Sequence, residues 1–197
     1  MLWKLFLLDA AIMTLCWLFA TQNRRAGIVD VAWSFCIVIN VLLCAVLLDT
    51  APLMIRIFIG CFSALWFLRL SWHLLRRYRH EQQEDRRYAH MRQAMGAYQH
   101  LGFLAFFIFQ AGLSILFSIP MWSLLNTSAE QWSNSSTLYL CIAAVIMLSA
   151  FIGEVLADQQ LYRFKQNPEH QGKTMDQGLW KYSRHPNYFF EWLHWFA

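Results

Sequence analysis

Residues 27–48, GIVDVAWSFCIVINVLLCAVLL, decide the class of this protein. Apart from Asp30, Ser34 and Asn40 the stretch is apolar throughout. Roughly 20 such residues in a helix cross about 30 Å of hydrocarbon. Arg24 and Arg25 stand immediately before it, as they would at a membrane face. Working outward, further apolar blocks occur at 2–20, 53–75, 101–125 and 137–157, and another begins near Pro186. Only 14% of the 197 residues are charged, against about a quarter in soluble domains. The expected fold is an all-α, polytopic transmembrane helical bundle: one domain over residues 1–197, with five full spans and the start of a sixth.

Charge placement orients the bundle. All but Lys4, Arg56 and Arg69 of the 16 Lys and Arg residues fall in three connections, around 24–25, 76–92 and 163–184. The connections at 49–52 and 126–136 hold none. Cytoplasmic loops are the Lys- and Arg-rich ones, so alternate loops are cytoplasmic and the N-terminus of this integral membrane protein lies on the other side. The first block lacks a small-residue cleavage site and is interrupted by Asp9, so it reads as a mature helix. The basic residues border spans rather than covering a solvated domain, which argues for membrane lipids and against nucleic acid as partners. Cys16, Cys36, Cys44, Cys61 and Cys141 sit in apolar blocks without metal-ligand spacing, so neither disulfides nor a metal are expected. Single-copy Glu191/His194 spacing does not make a di-iron site, and no GxSxG, HExxH, Walker or GxGxxG motif occurs.

Ionisable groups within spans are costly and so are functional candidates. Lys4 and Arg56 lie near span ends and can snorkel, and Asp9 is expected at the interface. Asp30 begins the second span, where it is open to pairing with Arg24, Arg25 or Arg69 or to contact with a substrate or cofactor. Arg69 and His73, four apart, share a helix face. The charged connection 76–100, which includes EDRRY (84–88), reads as a solvated loop facing anionic head groups.

A second polar concentration closes the chain. Glu154 and Asp158 share a helical face, with Lys165 further along the same stripe. The turn-rich NPEHQGKTMDQG (167–178) follows, long enough to fold over a ligand, and then GLWKYSRHPNYFFE (178–191). Pro186 reads as the first residue of a helix, whose free N–H groups make an anion site, and Arg184 adds a bidentate phosphate ligand. The residues thus point to a phosphate-bearing ligand held between the ends of spans five and six; the partners of Glu154 and Asp158 are either Lys165, Arg163 or Arg184 or the ribose hydroxyls and an amide of a nucleotide, with Lys165 a candidate cofactor contact. Only about a dozen residues run from Pro186 to Ala197 where a span takes roughly 20; a further C-terminal part is expected.

The motif GLWKYSRHPNYFFEW, with ADQQLYRFK upstream and the EDRRY segment, resembles the steroid 5α-reductase-like integral membrane proteins, in their uncharacterised bacterial branch (DUF1295). The resemblance covers roughly residues 27–197. It implies a helical bundle, nominally of seven spans, that binds NADPH from the cytoplasmic side and reduces a C=C bond conjugated to a carbonyl in a lipid-like substrate of steroid or isoprenoid type. Asp158, Tyr182, Arg184, His185, Asn187 and Glu191 match positions that contact the cofactor in the family. Glu154 stands where the steroid reductases have Asn, and Phe190 where the family usually has Gly, so that its ring narrows the pocket. Asp30 loosely matches an acidic residue facing the substrate carbonyl, and an apolar surrounding that holds it protonated makes it the expected catalytic acid. The RHPxY segment is shared with isoprenylcysteine carboxyl methyltransferases, which leaves S-adenosylmethionine-dependent methyl transfer as the rival. A non-catalytic lipid-binding protein is the third reading.

Overall fold

A computed structural model describes residues 1–80, 83–132 and 135–197, without the side chains of 135 and 136. The expected loops 76–100 and 126–136 therefore include positions, 81–82 and 133–134, that lie outside the described residues. Every regular element described is helical: α1 Leu2–Asn23, α2 Ile28–Leu47, α3 Leu53–His80, α4 Arg86–Met95, α5 Gln99–Leu125, α6 Ser135–Gln166 and α7 Pro186–His194. Among the described residues five helical runs are long and apolar enough to cross a membrane: Leu2–Asn23, Ile28–Leu47, Leu53–His80, Arg86–Leu125 and Thr137–Gln166. They coincide with the five expected spans. The chain divides into two compact units, Met1–Gln131 and Trp132–Ala197.

In the first unit α2 is the central helix, packed against α1, α3 and α5. Its buried face is built from Val29, Cys36, Ile37, Val38, Val41 and Cys44, small or β-branched side chains that let neighbouring backbones approach, as membrane helices require. Gly60 on α3 is one such approach: a Cβ there would lie 2.9 Å from the Ala45 Cβ. Large side chains such as Leu15, Val46, Met54 and Phe109 remain exposed, as on a lipid-facing surface. The α1–α2 turn is tight because Arg24 adopts the left-handed conformation, φ 52°, while its N–H bonds to the Ala20 carbonyl.

Two expectations are corrected here. The segment after α3 is not a plain solvated loop. Asp85 accepts from the Arg87 N–H at 2.9 Å, an N-cap that starts α4, and Tyr88 on α4 is buried in the apolar core with Val29, Ala32, Cys36, Phe103 and Phe107. Asp9, expected at the interface, is fully buried, hydrogen-bonded by Asn40 and Ser114. Spacing along one helix cannot reveal this, because the partners come from α2 and α5. Arg56, by contrast, ends near a span terminus as expected and caps α2, its Nε 2.9 Å from the Ala45 carbonyl. All five cysteines are free.

The second unit is α6 with α7 packed along it. Beyond α6, Asn167 accepts from the Glu169 N–H at 3.0 Å and starts a short 3-10 turn at Pro168. His170 folds back to stack on Phe164, centroids 4.2 Å apart. A second turn, Gly178–Lys181, is pinned to α6 by Leu179 N–H to Gln160 (3.0 Å) and Trp180 Nε1–H to the Ala157 carbonyl (3.0 Å). Gly178 is at φ 59° with the Gln160 amide against it, so a side chain would be strained by the backbone and blocked by the contact.

Candidate functional site

In the first unit Asp30 is the hub of a polar cluster at the basic end of the helices. Tyr88 Oη donates to Asp30 Oδ1 at 2.7 Å, and Arg87 donates to Oδ2 at 3.2 Å. Arg87 also binds Asp85 (2.9 Å), which Arg77 reaches at 3.3 Å. Hydrogen bonds from Arg87 hold the Asp85 carboxyl below the usual carboxylate range. Beside them Glu84 accepts two bonds from Arg92, at 3.0 and 2.6 Å, and one from the Ala26 N–H at 3.2 Å. This bidentate, charge-assisted contact ties α4 to the α1–α2 turn. Arg25 covers the Tyr78 ring at 4.1 Å and donates to the Tyr78 carbonyl.

The expected apolar surrounding of Asp30 is therefore replaced by a phenol and a guanidinium, and the cation is Arg87 of α4. Sequence reasoning missed Tyr88, Arg87, Glu84 and Arg92 as site residues. The available signal was EDRRY itself: an Asp followed by an Arg-Arg-Tyr run is a helix start, and a helix brings Tyr88 round to the core. The cleft lined by Asp30, Arg77, Tyr78, Glu84 and Asp85 holds about 10 Å³, room for one water. A larger apolar groove of about 530 Å³ lies on α1, α2 and α3. It is lined by Cys16, Leu68 and Trp72 together with Ile28 and Val31, which flank Asp30 in sequence.

In the second unit the structure brings together part of the expected constellation. Asn187, in the first turn of α7, donates to Asp158 Oδ1 at 3.5 Å, while its own Oδ1 is buried without a hydrogen-bond partner. Glu154 is buried one turn earlier on α6. Glu191 is half-buried, its carboxylate 3.9 Å from His194 Nδ1. The Phe190 ring rests on the backbone of Gly153. Tyr182, Arg184 and His185 are exposed on the connection before α7, His185 stacked on Tyr188 at 5.2 Å. Arg184 makes no ion pair with a described residue, so the structure does not join it to the carboxylates.

Lys165 sits apart from the Asp158–Asn187 pair, about 10 Å further along the helix at 1.5 Å per residue. It lines an open cavity of about 500 Å³ with Phe164, Asn167, Gly172 and Lys173. A neighbouring hollow of about 460 Å³ shares His170 with it and adds Thr174, Asp176 and Gln177. Cavities of a few hundred Å³ suit cofactors. Two ammonium groups, the N–H groups opening α7 and the unpartnered Asn187 Oδ1 are the donor and acceptor set a phosphorylated, hydroxyl-rich ligand needs. On these observations the residues fit a dinucleotide: Lys165 and Lys173 toward phosphate, Asp158 and Asn187 toward hydroxyl or amide groups.

Helical units with five membrane-length spans and polar clusters at helix ends define an integral membrane protein. Residues 16–197 match the family described as "Protein of unknown function (DUF1295)", and the chain belongs to that family. No curated protein and no solved structure matches it.

Proposed function

We propose that this protein is a membrane-embedded, NADPH-dependent reductase of a C=C bond conjugated to a carbonyl in a lipid-like substrate. The observation that carries the reading is the Tyr88–Asp30 pair. Hydride addition to the β-carbon of an enone drives charge onto the carbonyl oxygen, and the site must meet that charge with a positioned donor. Methyl transfer to a carboxylate needs no such donor, so the pair favours reduction over the methyltransferase alternative.

NADPH, when bound, supplies the hydride. Lys165, Lys173, Asp158 and Asn187 bind and orient it, with Glu154, Glu191, Tyr182, Arg184 and His185 as the further contacts the sequence resemblance implies. Asp30 holds the Tyr88 hydroxyl until substrate arrives, and the hydroxyl then turns to donate to the substrate oxygen as enolate character develops. Arg87 is 61% exposed, so its side chain is free to move aside as a carbonyl approaches Tyr88. The apolar groove beginning at Ile28 and Val31 suits an apolar substrate body. In this reading the N-terminus lies outside a bacterial inner membrane and the nucleotide binds on the cytoplasmic side, which the Lys- and Arg-rich connections support.

The test is thermal shift and tryptophan quenching of the purified full chain with NADPH and with S-adenosylmethionine. NADPH alone should stabilise the protein, and Asp158→Ala should weaken that effect. Tyr88→Phe should leave NADPH binding intact while lowering enone reduction by about 10²–10⁴-fold, the range for a lost general acid. A shift with S-adenosylmethionine alone would replace the proposal by methyl transfer; no shift with either would favour the lipid-binding reading.

A further inference from the structure

Inside the first unit, away from the basic end, Asp9 on α1, Asn40 on α2 and Ser114 and Ser118 on α5 form a polar cluster with at most 1% exposure at each residue. Asn40 Nδ2 donates to Asp9 Oδ2 at 2.8 Å and lies 3.4 Å from Ser118 Oγ. Ser118 Oγ donates to the Ser114 carbonyl at 2.7 Å. Ser114 Oγ lies against both Asp9 Oδ2 and the Ala111 carbonyl, 2.8 Å from the latter. Every hydrogen of the amide and the hydroxyls is thereby placed. Two acceptors remain, Asp9 Oδ1 and Asn40 Oδ1, both buried and both without a donor.

The groups that interact with Asp9 are Ser114, Asn40 and the Cys36 thiol, with the Cys16 thiol next to Cys36. None of them is cationic. The amino terminus acts on Cys44, one turn beyond Asn40, and is not among the groups acting on Asp9. An ionised carboxylate at this depth would be a buried charge with no counter-charge, which membrane interiors penalise heavily. One added proton resolves both problems, neutralising the carboxyl and supplying the missing donor.

We infer that Asp9 is a proton-binding site: its carboxyl is carried as the neutral acid, Oδ1–H donating to Asn40 Oδ1 while Asn40 Nδ2 donates back to Asp9 Oδ2. The proton comes from hydronium in the solvent, whose O–H bond breaks as the one on Asp9 forms and leaves water, and no other covalent bond changes. The acid–amide ring joins α1 to α2, and Ser114 attaches α5 to the same carboxyl. The site is independent of the reductase reading, since it uses none of the residues assigned there.

Infrared spectroscopy of the full chain in lipid nanodiscs tests this. The wild type should show the carbonyl stretch of an un-ionised carboxylic acid at neutral and mildly alkaline pH, shifted in D₂O and absent from Asp9→Asn. Asn40→Leu should keep the band but move it to higher frequency, because the acid loses its amide partner. Subtracting the Asp9→Asn spectrum separates Asp9 from other buried carboxyls such as Glu154. A wild-type minus Asp9→Asn difference confined to the carboxylate bands would overturn the inference. Should Asp9→Asn fail to fold, an unshifted acid band in Asn40→Leu would overturn it equally.

Discussion

The Gly153–Phe190 contact gives a prediction whose sign depends on background. A Cβ on Gly153 would come within 2.5 Å of Phe190 Cδ1 and nearer still to the rest of the ring edge, so Gly153→Ala forces the ring or α7 to move. Overpacking of this kind costs about 1–3 kcal/mol, and the half-buried ring, free to swing, places the cost toward the low end. Removing the ring reverses the balance. In a Phe190→Gly background the same substitution meets no side chain and gains the roughly 0.5–1 kcal/mol by which Ala exceeds Gly within a helix. At about 2–4 °C per kcal/mol for a chain of this size, Gly153→Ala should lower the melting temperature by a few degrees in the natural protein. It should raise it slightly when residue 190 is Gly. The assay is thermal unfolding of the four proteins of the cycle in one detergent. Equal shifts in both backgrounds, additive within about 0.5 kcal/mol, would refute the packing argument and return Phe190 to its expected place in the pocket.

Two further predictions rest on the first unit. Asp85→Ala removes an N-cap and two ion pairs and should cost about 0.5–2 kcal/mol at neutral pH. Because the folded Asp85 carboxyl titrates below its unfolded value, that stability is present above about pH 4 and is lost as pH falls through the lower folded value; a thermal-melt series against pH should show wild type and variant converging in acid. Gly60→Val should separate α3 from α2 and lower the melting temperature, and Ala45→Gly in the same chain should recover part of the loss; no recovery would mean the Ala45 contact is not the cause.

Part of the candidate site in the second unit was legible because its residues form local patterns. Asp158 one turn beyond Glu154 on α6, and Asn187 after a helix-starting proline, are local patterns, and the structure brings Asp158 and Asn187 together. Lys165 shares that helix, yet seven residues of rise carry it to a cavity that the Asp158–Asn187 pair does not line. Asp30 was marked as a lone acid at a span end, but its partners Tyr88 and Arg87 stand nearly sixty positions later in a segment whose charge made it look solvated. High polarity hid the one tyrosine that folds inward.

The sequence alone determined the helices: long apolar runs must satisfy their backbone hydrogen bonds internally in lipid, so five spans follow from composition and length. Tertiary structure decided which polar groups meet. Asp9 could not be placed from its own helix, since its burial depends on Asn40, Ser114 and Ser118 arriving from α2 and α5. Asp30 became part of a phenol–carboxylate–guanidinium cluster only when Asp85 capped α4 and the helix turned Tyr88 into the core. Backbone satisfaction is a local constraint that every segment reports by itself, whereas the pairing of buried polar side chains depends on which helices pack side by side.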